Sequence, residues 1–170
     1  EKTYEDQYDP NALFEDVSPG SCTSGNYNSS CLVNGGSCTS PYGPRKHPIT
    51  GELGKQHNGV DFGAPRGTPI RTGRGGTVIE SRHQYNESTG TGWGHTVVIR
   101  YDDGTEARYS HLDGPASVTV GSQVSAGQQI GNVGKSGGST GPHLDYSEKV
   151  NGQYVDPCGP SGTGIACGGC

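Results

Sequence analysis

Short stretches of alternating apolar and polar residues, separated by glycine-rich segments, dominate the hydrophobic pattern of this chain. The clearest stretch is Thr96–Tyr101 (TVVIRY), whose β-branched residues favour a strand. It is followed by Asp102-Asp103-Gly104, a turn signal typical of hairpins, and by a returning strand predicted over Glu106–Leu112. The pattern therefore predicts an antiparallel hairpin whose second strand delivers His111 near its end.

Further short strands are predicted on both sides of this hairpin, because apolar and polar residues alternate there as they do on half-buried strands. They are Gly59–Phe62, Pro69–Arg71, Gly76–Ser81, Ser117–Val120, Gln128–Val133 and His143–Tyr146. Two glycine-rich segments, Gln84–Gly94 and Gly134–Pro142, are expected to be long loops that form the walls of a groove. One short helix is predicted over Asp9–Val17. The expected fold is all-β or β-rich α+β: a loop-rich antiparallel sheet with a groove on one face.

The composition changes this picture in one respect, the need for cross-links. The chain has 31 glycines, 11 prolines and a mean hydropathy of −0.71, so its apolar core is expected to be modest. Six cysteines lie near the two ends of the chain, which predicts stabilising disulfides and a secreted or periplasmic location. The sequence leaves their pairing open. A cysteine-bound zinc at Cys167 and Cys170 is the weaker alternative, since no second CxxC accompanies it.

The net charge of −5 and the pI of about 5.6 argue against a nucleic-acid partner, for which a basic surface is expected. No apolar run is long enough to span a membrane. The chain opens EKTYEDQYDP without a signal peptide, as expected of the mature form of a secreted protein, and it is expected to be a monomer. It contains no GxSxG elbow, Walker loop or dinucleotide fingerprint.

Candidate chemistry is concentrated in two runs, His57-Asn58-Gly59-Val60-Asp61 and His143-Leu144-Asp145. Side chains on a strand alternate between faces, so the His and Asp of each run are expected to point the same way. Two such strands side by side predict a cleft lined by imidazoles and carboxylates, which are ligands for a divalent metal. Surface or turn residues are the alternative for either run taken alone.

Six longer runs occur in the order and spacing of one known family. They are SPYG (Ser40–Gly43), HPITGE (His47–Glu52), HNGVDFGAPRGTPI (His57–Ile70), WGHTVVIRYDDGTEARYSHL (Trp93–Leu112), GSQVSAGQQIGNVGKSGGSTGPHLDY (Gly121–Tyr146) and YVDP (Tyr154–Pro157). The stretch 40–157, about 118 of the 170 residues, resembles the catalytic domain of the lysostaphin-like zinc endopeptidases, which cut peptide cross-links of bacterial cell walls. The resemblance implies a catalytic domain over 40–157, an N-terminal extension over 1–39 and a cysteine-rich tail over 158–170.

The same resemblance implies the roles of individual residues. His57 and Asp61 match the first two zinc ligands, and His111 and His143 match two catalytic histidines. The third ligand position, a histidine in the family, is occupied by Asp145. A carboxylate binds zinc, but a set with two carboxylates makes the metal a weaker Lewis acid. The alternatives left open are an empty or weak site and an engineered inactivating substitution.

Two aromatic residues near the expected groove have both a functional and a packing interpretation. Tyr109 lies two residues before His111, so alternation places it on the same face as a candidate donor to the oxyanion, with core packing as the alternative. Trp93 is a candidate groove wall or a core residue. Two functions are therefore considered: a zinc-dependent endopeptidase acting on peptidoglycan peptides, and a catalytically silent member that binds peptidoglycan or a protein partner.

Overall fold

The computed structural model describes residues 22, 25–46 and 53–170, and the helix predicted over Asp9–Val17 lies outside them. A single 3-10 turn, Ser29–Cys31, precedes the strands. The strands are β1 (Ser37–Ser40), β2 (Gly43–Lys46), β3 (Leu53–His57), β4 (Gly59–Gly63), β5 (Pro69–Arg71), β6 (Gly76–Asn86), β7 (Thr91–Tyr101), β8 (Glu106–Leu112), β9 (Gln123–Val124), β10 (Gln129–Asn132), β11 (His143–Val150) and β12 (Gln153–Val155). No membrane-crossing helix was found in these ranges.

Eight of these strands form one antiparallel sheet in the order β1-β4-β11-β8-β7-β6-β9, with β12 paired to β11. Two small sheets, β5–β10 and β2–β3, complete the fold. The antiparallel, β-rich fold class predicted from the sequence is thus confirmed. The sheet also makes β4 and β11 neighbours, although about 80 residues separate them in the chain. These two strands carry the acidic candidates Asp61 and Asp145.

One hydrophobic core underlies the sheet. Val97, Ile99 and Tyr101 of β7 are at most 1% exposed, so the strand predicted from TVVIRY lies where burial is deepest. The small β5–β10 sheet covers this core with Ile70 and Ile130, and the C-terminal segment adds Ile165. Leu32 and Val33, which precede β1, are also fully buried. The division into 1–39, 40–157 and 158–170 stays a prediction, because residues from all three ranges share this core.

The six cysteines form three disulfides, as predicted: Cys22–Cys31, Cys38–Cys170 and Cys158–Cys167. Cys167 and Cys170 therefore have different partners, which excludes a zinc site or redox pair formed by that CxxC. Cys38 lies on β1, opposite Phe62 of β4, so its disulfide ties the end of the chain to an edge of the main sheet.

Two secondary-structure predictions were wrong. The segment 84–94 is not a long loop, because β6 and β7 continue as a hairpin to a short turn at residues 87–90. Its Gly94 has φ +65°, and a Cβ there would lie 2.3 Å from the carbonyl carbon of Ser136. This glycine thus allows close backbone contact and does not mark a flexible loop.

The strand predicted over Ser117–Val120 is absent from the described sheet. Ser117 N–H donates to Ile130 O, but no ladder continues from that bond. Apolar and polar residues alternate in the sequence here, but the two valines do not share a buried face. Val118 packs against the core, whereas Val120 is 59% exposed next to the turn at Gly121. The remaining predicted strands correspond to β4, β5, β6, β7, β8, β10 and β11.

Candidate metal centre and active-site cleft

The five predicted site residues converge on one cleft of about 480 Å³, a size typical of ligand sites. Asp61 and Asp145 lie directly opposite each other on β4 and β11. His57 ends β3 and His143 begins β11, while His111 comes from the end of β8. The structure therefore brings all five together, and their individual roles stay predictions.

The approach of His57 to Asp61 depends on a break in the chain. In one continuous strand, residues four apart are separated by about 13 Å. Here His57 Nε2 lies 3.3 Å from Asp61 Oδ1, because the chain leaves β3 at Asn58 and enters β4 at Gly59. A Cβ at Gly59 would lie 2.5 Å from Tyr146 O and 2.8 Å from Asp145 Oδ1. Glycine is thus required for β4 to pack beside β11 at this point.

Three side chains offer atoms suited to one metal ion: His57, Asp61 and Asp145, whose ligand atoms lie within 4.8 Å of one another. His57 Nε2 is 3.3 Å from Asp61 Oδ1 and 3.7 Å from Asp145 Oδ1. Tetrahedral zinc with bonds of about 2.0 Å places its ligands about 3.3 Å apart. The observed separations therefore fit a zinc-sized ion with small adjustments.

Unsatisfied polar atoms give independent support for this fit. His57 Nε2 and Asp61 Oδ1 are buried, and neither makes a hydrogen bond to any residue in the described ranges. Although 3.3 Å separates them, the two atoms are not aligned for a hydrogen bond. Burying two polar atoms without a hydrogen bond is costly, and a cation bound by both of them would remove that cost.

Backbone carbonyls orient all three histidines in the same way. His57 Nδ1 lies 3.0 Å from Pro41 O, His111 Nδ1 lies 2.7 Å from Ser136 O, and His143 Nδ1 lies 2.9 Å from Gly141 O. Because a carbonyl only accepts, each Nδ1–H donates, which leaves Nε2 of the neutral ring with its lone pair directed elsewhere. That tautomer suits His57 as a ligand and suits the other two as proton acceptors.

The charges of the cleft shift its titrating groups in the absence of a metal. Burial lowers the pKa of His57, but the adjacent carboxylates of Asp145 and Asp61 outweigh it and raise that pKa to about 9. Burial raises the pKa of Asp145, yet the neighbouring His57 holds it below its ordinary value. Burial lowers the pKa of His111, which favours the neutral ring near neutral pH.

The position predicted for Tyr109 needs correction. Strand β8 contains a bulge at this point. His95 pairs with Leu112 and Val97 pairs with Tyr109, so the single residue Thr96 of β7 lies opposite two residues of β8, Ser110 and His111. This bulge, together with a φ of +64° at His111, breaks the two-residue alternation on which the prediction relied. Tyr109 points into the core, is fully buried, and has its hydroxyl 2.5 Å from that of Tyr101. It does not line the cleft, so the structure does not support an oxyanion role for it.

The walls of the cleft contain residues that sequence reasoning did not single out. Arg45 of β2 donates from Nη2 to Asp61 Oδ2 at 3.2 Å, and Lys55 and Gln56 of β3 also line the cleft. No pattern in the sequence indicated that these residues face the site. On the other side, Trp93 lines the cleft as a wall, with the guanidinium of Arg108 3.8 Å from its ring centroid.

The part of the chain that contains most of the cleft matches a known protein family. The model for "Peptidase family M23" matches residues 55–157. The DD-carboxypeptidase/endopeptidase Mpg of Neisseria meningitidis is 40% identical over 119 residues, which are 70% of this chain and 26% of that protein. The glycyl-glycine endopeptidase ALE-1 of Staphylococcus capitis is 38% identical over 111 residues, covering 65% and 28% of the two chains. The chain thus spans about a quarter of the length of these curated relatives.

Solved structures show the same similarity at the level of the fold. A variant catalytic domain of the prophage-encoded M23 protein EnpA from Enterococcus faecalis is 36% identical, with a TM-score of 0.63 and coverage of 75% of this chain and 92% of that one. The catalytic domain of lysostaphin from Staphylococcus simulans is 32% identical, with a TM-score of 0.59 and coverage of 73% and 90%. The lysostaphin-like fold expected from the sequence is therefore confirmed.

Proposed function

This chain belongs to peptidase family M23, and on that premise we propose that it is a zinc-dependent endopeptidase that hydrolyses peptide cross-links of bacterial peptidoglycan. The observation that carries the proposal is the pair of buried, unsatisfied atoms His57 Nε2 and Asp61 Oδ1, which face a third ligand, Asp145, beside two further histidines. A purely structural polar cluster has no reason to leave such atoms without partners.

The residues of the cleft have distinct tasks in this proposal. His57, Asp61 and Asp145 hold the zinc ion. When bound, the ion polarises the scissile carbonyl and lowers the pKa of an attacking water. His111 and His143 face each other across the site with ring centroids 4.9 Å apart. Between them they take the proton of the attacking water and supply one to the leaving amine, for which neutral imidazoles are suited near neutral pH.

The rest of the molecule is consistent with work outside the cytoplasm. Three disulfides need an oxidising compartment to form and persist, so we propose a secreted or periplasmic location and action as a monomer on peptidoglycan peptides. Relatives from Vibrio cholerae whose names describe peptidoglycan DD-endopeptidases support the same substrate.

One observation favours a second function, a catalytically silent module that binds peptidoglycan or a protein partner. Asp145 stands where the family has a histidine, so the ligand set carries two carboxylates and the metal is a weaker Lewis acid. Against this, His111 and His143 both line the cleft, and in each a backbone carbonyl holds Nδ1, so that Nε2 faces the site; a silent module has no use for this arrangement.

Metal content and hydrolysis of purified peptidoglycan, measured on the same preparations, test the proposal. We expect about one zinc ion per chain and release of new amino groups from the wall. His111→Ala and His143→Ala should each keep the zinc but lower turnover by about 10²- to 10⁴-fold, because each removes a proton-transfer group. His83→Ala is the control, since His83 is exposed and does not line the cleft. Zinc binding without hydrolysis by the unaltered protein would favour the silent module.

A further inference from the structure

The cleft has a positive edge on a chain whose net charge is −5. Among the residues that the structure describes, the charged ones that line it apart from the five site residues are Arg45 and Lys55, which are both cationic and lie on β2 and β3. The opposite side presents neutral groups, among them Trp93, Ser139 and Thr140. The positive charge is therefore a local property of one wall and does not reflect the composition of the chain.

Lys55 is placed to meet a bound peptide. It lies two residues before His57 on β3, so strand alternation directs both side chains to the same face. It lines the main cleft and also the adjoining depression that runs past Asn58 and Ser147 towards Tyr154. No residue in the described ranges forms an ion pair or hydrogen bond with its ammonium group. Lys55 thus lies exposed beside the site, with no charge partner among residues 22, 25–46 and 53–170.

Arg45 has capacity left for a ligand as well. Its Nη2 donates to Asp61 Oδ2, but the side chain is 52% exposed and a guanidinium has five N–H donors. The metal ligands do not cancel this charge in the loaded site. The charges of Asp61 and Asp145 offset those of a divalent ion, so the described part of the cleft keeps the positive charges of Arg45 and Lys55.

We propose that Arg45 and Lys55 form a carboxylate-binding edge, so that the preferred substrate is a cell-wall peptide with a free carboxylate close to the scissile amide. An uncharged glycine bridge gains nothing from these cations, whereas a carboxylate gains charge-assisted hydrogen bonds from them. The inference rests on the proposed peptidase function and narrows its substrate class. Membership of the family does not decide between these substrates, because a DD-carboxypeptidase/endopeptidase and a glycyl-glycine endopeptidase are both among the relatives, at 40% and 38% identity.

The test uses blocked peptides that differ in one group: a carboxylate, or the matching carboxamide, next to the scissile amide. A blocked oligoglycine is the third substrate. We expect kcat/KM for the carboxylate peptide to exceed that for the carboxamide peptide by about two- to fivefold, the range of an exposed ion pair, with a smaller ratio at high salt. Oligoglycine should be the poorest substrate of the three.

Variants at Lys55 test the effect of its charge on substrate preference without breaking a hydrogen bond to a metal ligand, because Lys55 forms none with His57, Asp61 or Asp145. Lys55→Met should lower the carboxylate-to-carboxamide ratio, Lys55→Glu should lower it further, and Lys55→Arg should keep it, while Arg45 is unchanged in all three variants. Arg100→Met is the matched control, because Arg100 is a half-exposed cation that pairs with Glu106 and does not line the cleft. Arg100→Met should leave the rates on both peptides, and therefore their ratio, as they are in the unaltered protein.

Equilibrium binding of the same peptides, labelled with a fluorophore, gives a readout that does not need turnover. A ratio that is the same in the unaltered protein and in Lys55→Glu, by binding and by kinetics, overturns the carboxylate edge even if the peptides are cut. Preferred cleavage of oligoglycine overturns it too. Charge-dependent binding without cleavage of any peptide instead contradicts the proposed peptidase function and leaves the edge supported.

Discussion

Asp145 has a central position in the site, in contact with both His57 and His111. Its two oxygens lie 3.7 Å from His57 Nε2 and 3.8 Å from His111 Nε2, so it lies between a predicted ligand and a predicted proton carrier. It is directly opposite Asp61 in the β4–β11 ladder, which places the two carboxylates beside each other. Two like charges this close are stable when a cation or protonated imidazole separates them.

Replacing Asp145 by histidine removes one of the two negative charges from the ligand set. We expect Asp145→His to raise zinc retention during dialysis and to raise turnover of cell-wall peptides, because an ion with one carboxylate ligand is the stronger Lewis acid. Asp145→Ala should lose zinc, since two protein ligands remain. Zinc stoichiometry and turnover of the three proteins under one condition are the measurements. If the unaltered protein were the most active, Asp145 would be a ligand tuned to another metal or substrate.

Tyr109 provides a second residue-scale prediction, in which stability changes and catalysis does not. Its hydroxyl accepts from Gly73 N–H at 3.1 Å and bonds Tyr101 in the core. Tyr109→Phe should lower the free energy of unfolding by about 1–3 kcal/mol, because a buried N–H is left without a partner. Denaturant unfolding measures this loss. Turnover measured well below the melting temperature should be unchanged, and a loss as large as that of His111→Ala would restore the oxyanion role.

At the scale of elements, the sequence predicted strands well where alternation and β-branched residues coincide. Pro69–Arg71 and Glu106–Leu112 were predicted with the bounds that the structure shows, and Thr96–Tyr101 lies inside β7. The strands that were missed are β1, β2, β3, β9 and β12, which are short or rich in glycine and polar residues. Such strands are held by pairing with distant segments, and a local pattern does not record that pairing.

The sequence likewise identified the residues of the candidate site but not the backbone irregularities that orient them. The runs HNGVD and HLD identified His57, Asp61, His143 and Asp145, and the resemblance to a family added His111. The convergence of His57 and Asp61, however, depends on the break at Asn58, and the orientation of His111 depends on the β8 bulge. Both irregularities are set by tertiary contacts, so alternation counted along the sequence led to the wrong face for Tyr109.

Strand β11 also links the site to the C-terminal segment through a buried carboxyl group. Glu148 is fully buried and accepts from Tyr146 Oη at 2.5 Å, from Thr163 N at 2.7 Å and from Thr163 Oγ1 at 2.6 Å. Burial raises the pKa of this carboxyl, and its hydrogen bonds only partly oppose the rise. Glu148 is therefore easier to accommodate in the folded protein when protonated.

This shift gives a pH dependence with a definite sign. A carboxyl whose pKa is higher in the folded than in the unfolded state contributes most below the unfolded value of about 4.5, and that contribution is lost as pH rises through the folded pKa. The free energy of unfolding of the unaltered protein, minus that of Glu148→Gln, should fall as pH rises above about 4.5. Denaturant unfolding of both proteins across pH 4 to 8 measures the difference. A difference independent of pH would mean that the carboxyl titrates alike in both states.

At the scale of the whole molecule, the disulfides compensate for a core that is small for the length of the chain. Cys158–Cys167 joins residues nine apart, whereas Cys38–Cys170 joins residues 132 apart and holds the end of the chain against β1. Strand β1 pairs with β4, where Ser40 lies opposite Asp61. The long-range disulfide therefore supports the edge of the sheet next to a proposed metal ligand.

Removing the two disulfides should consequently have unequal effects. Restricting the unfolded chain contributes about 3 kcal/mol for a loop of the shorter kind and about 5 kcal/mol for the longer one in the chain-entropy treatment. The double variant Cys38→Ala/Cys170→Ala should thus melt below Cys158→Ala/Cys167→Ala, by about 4–8 °C for a difference of about 2 kcal/mol. Loss of packing at the buried Cys167 lowers the melting temperature of Cys158→Ala/Cys167→Ala as well, so it reduces the expected difference.

The Cys38→Ala/Cys170→Ala variant should also release zinc faster, because β4 loses the support of β1. Calorimetry and metal-release kinetics measure the two effects, and equal melting temperatures with equal release would show that the sheet edge is held by its hydrogen bonds alone.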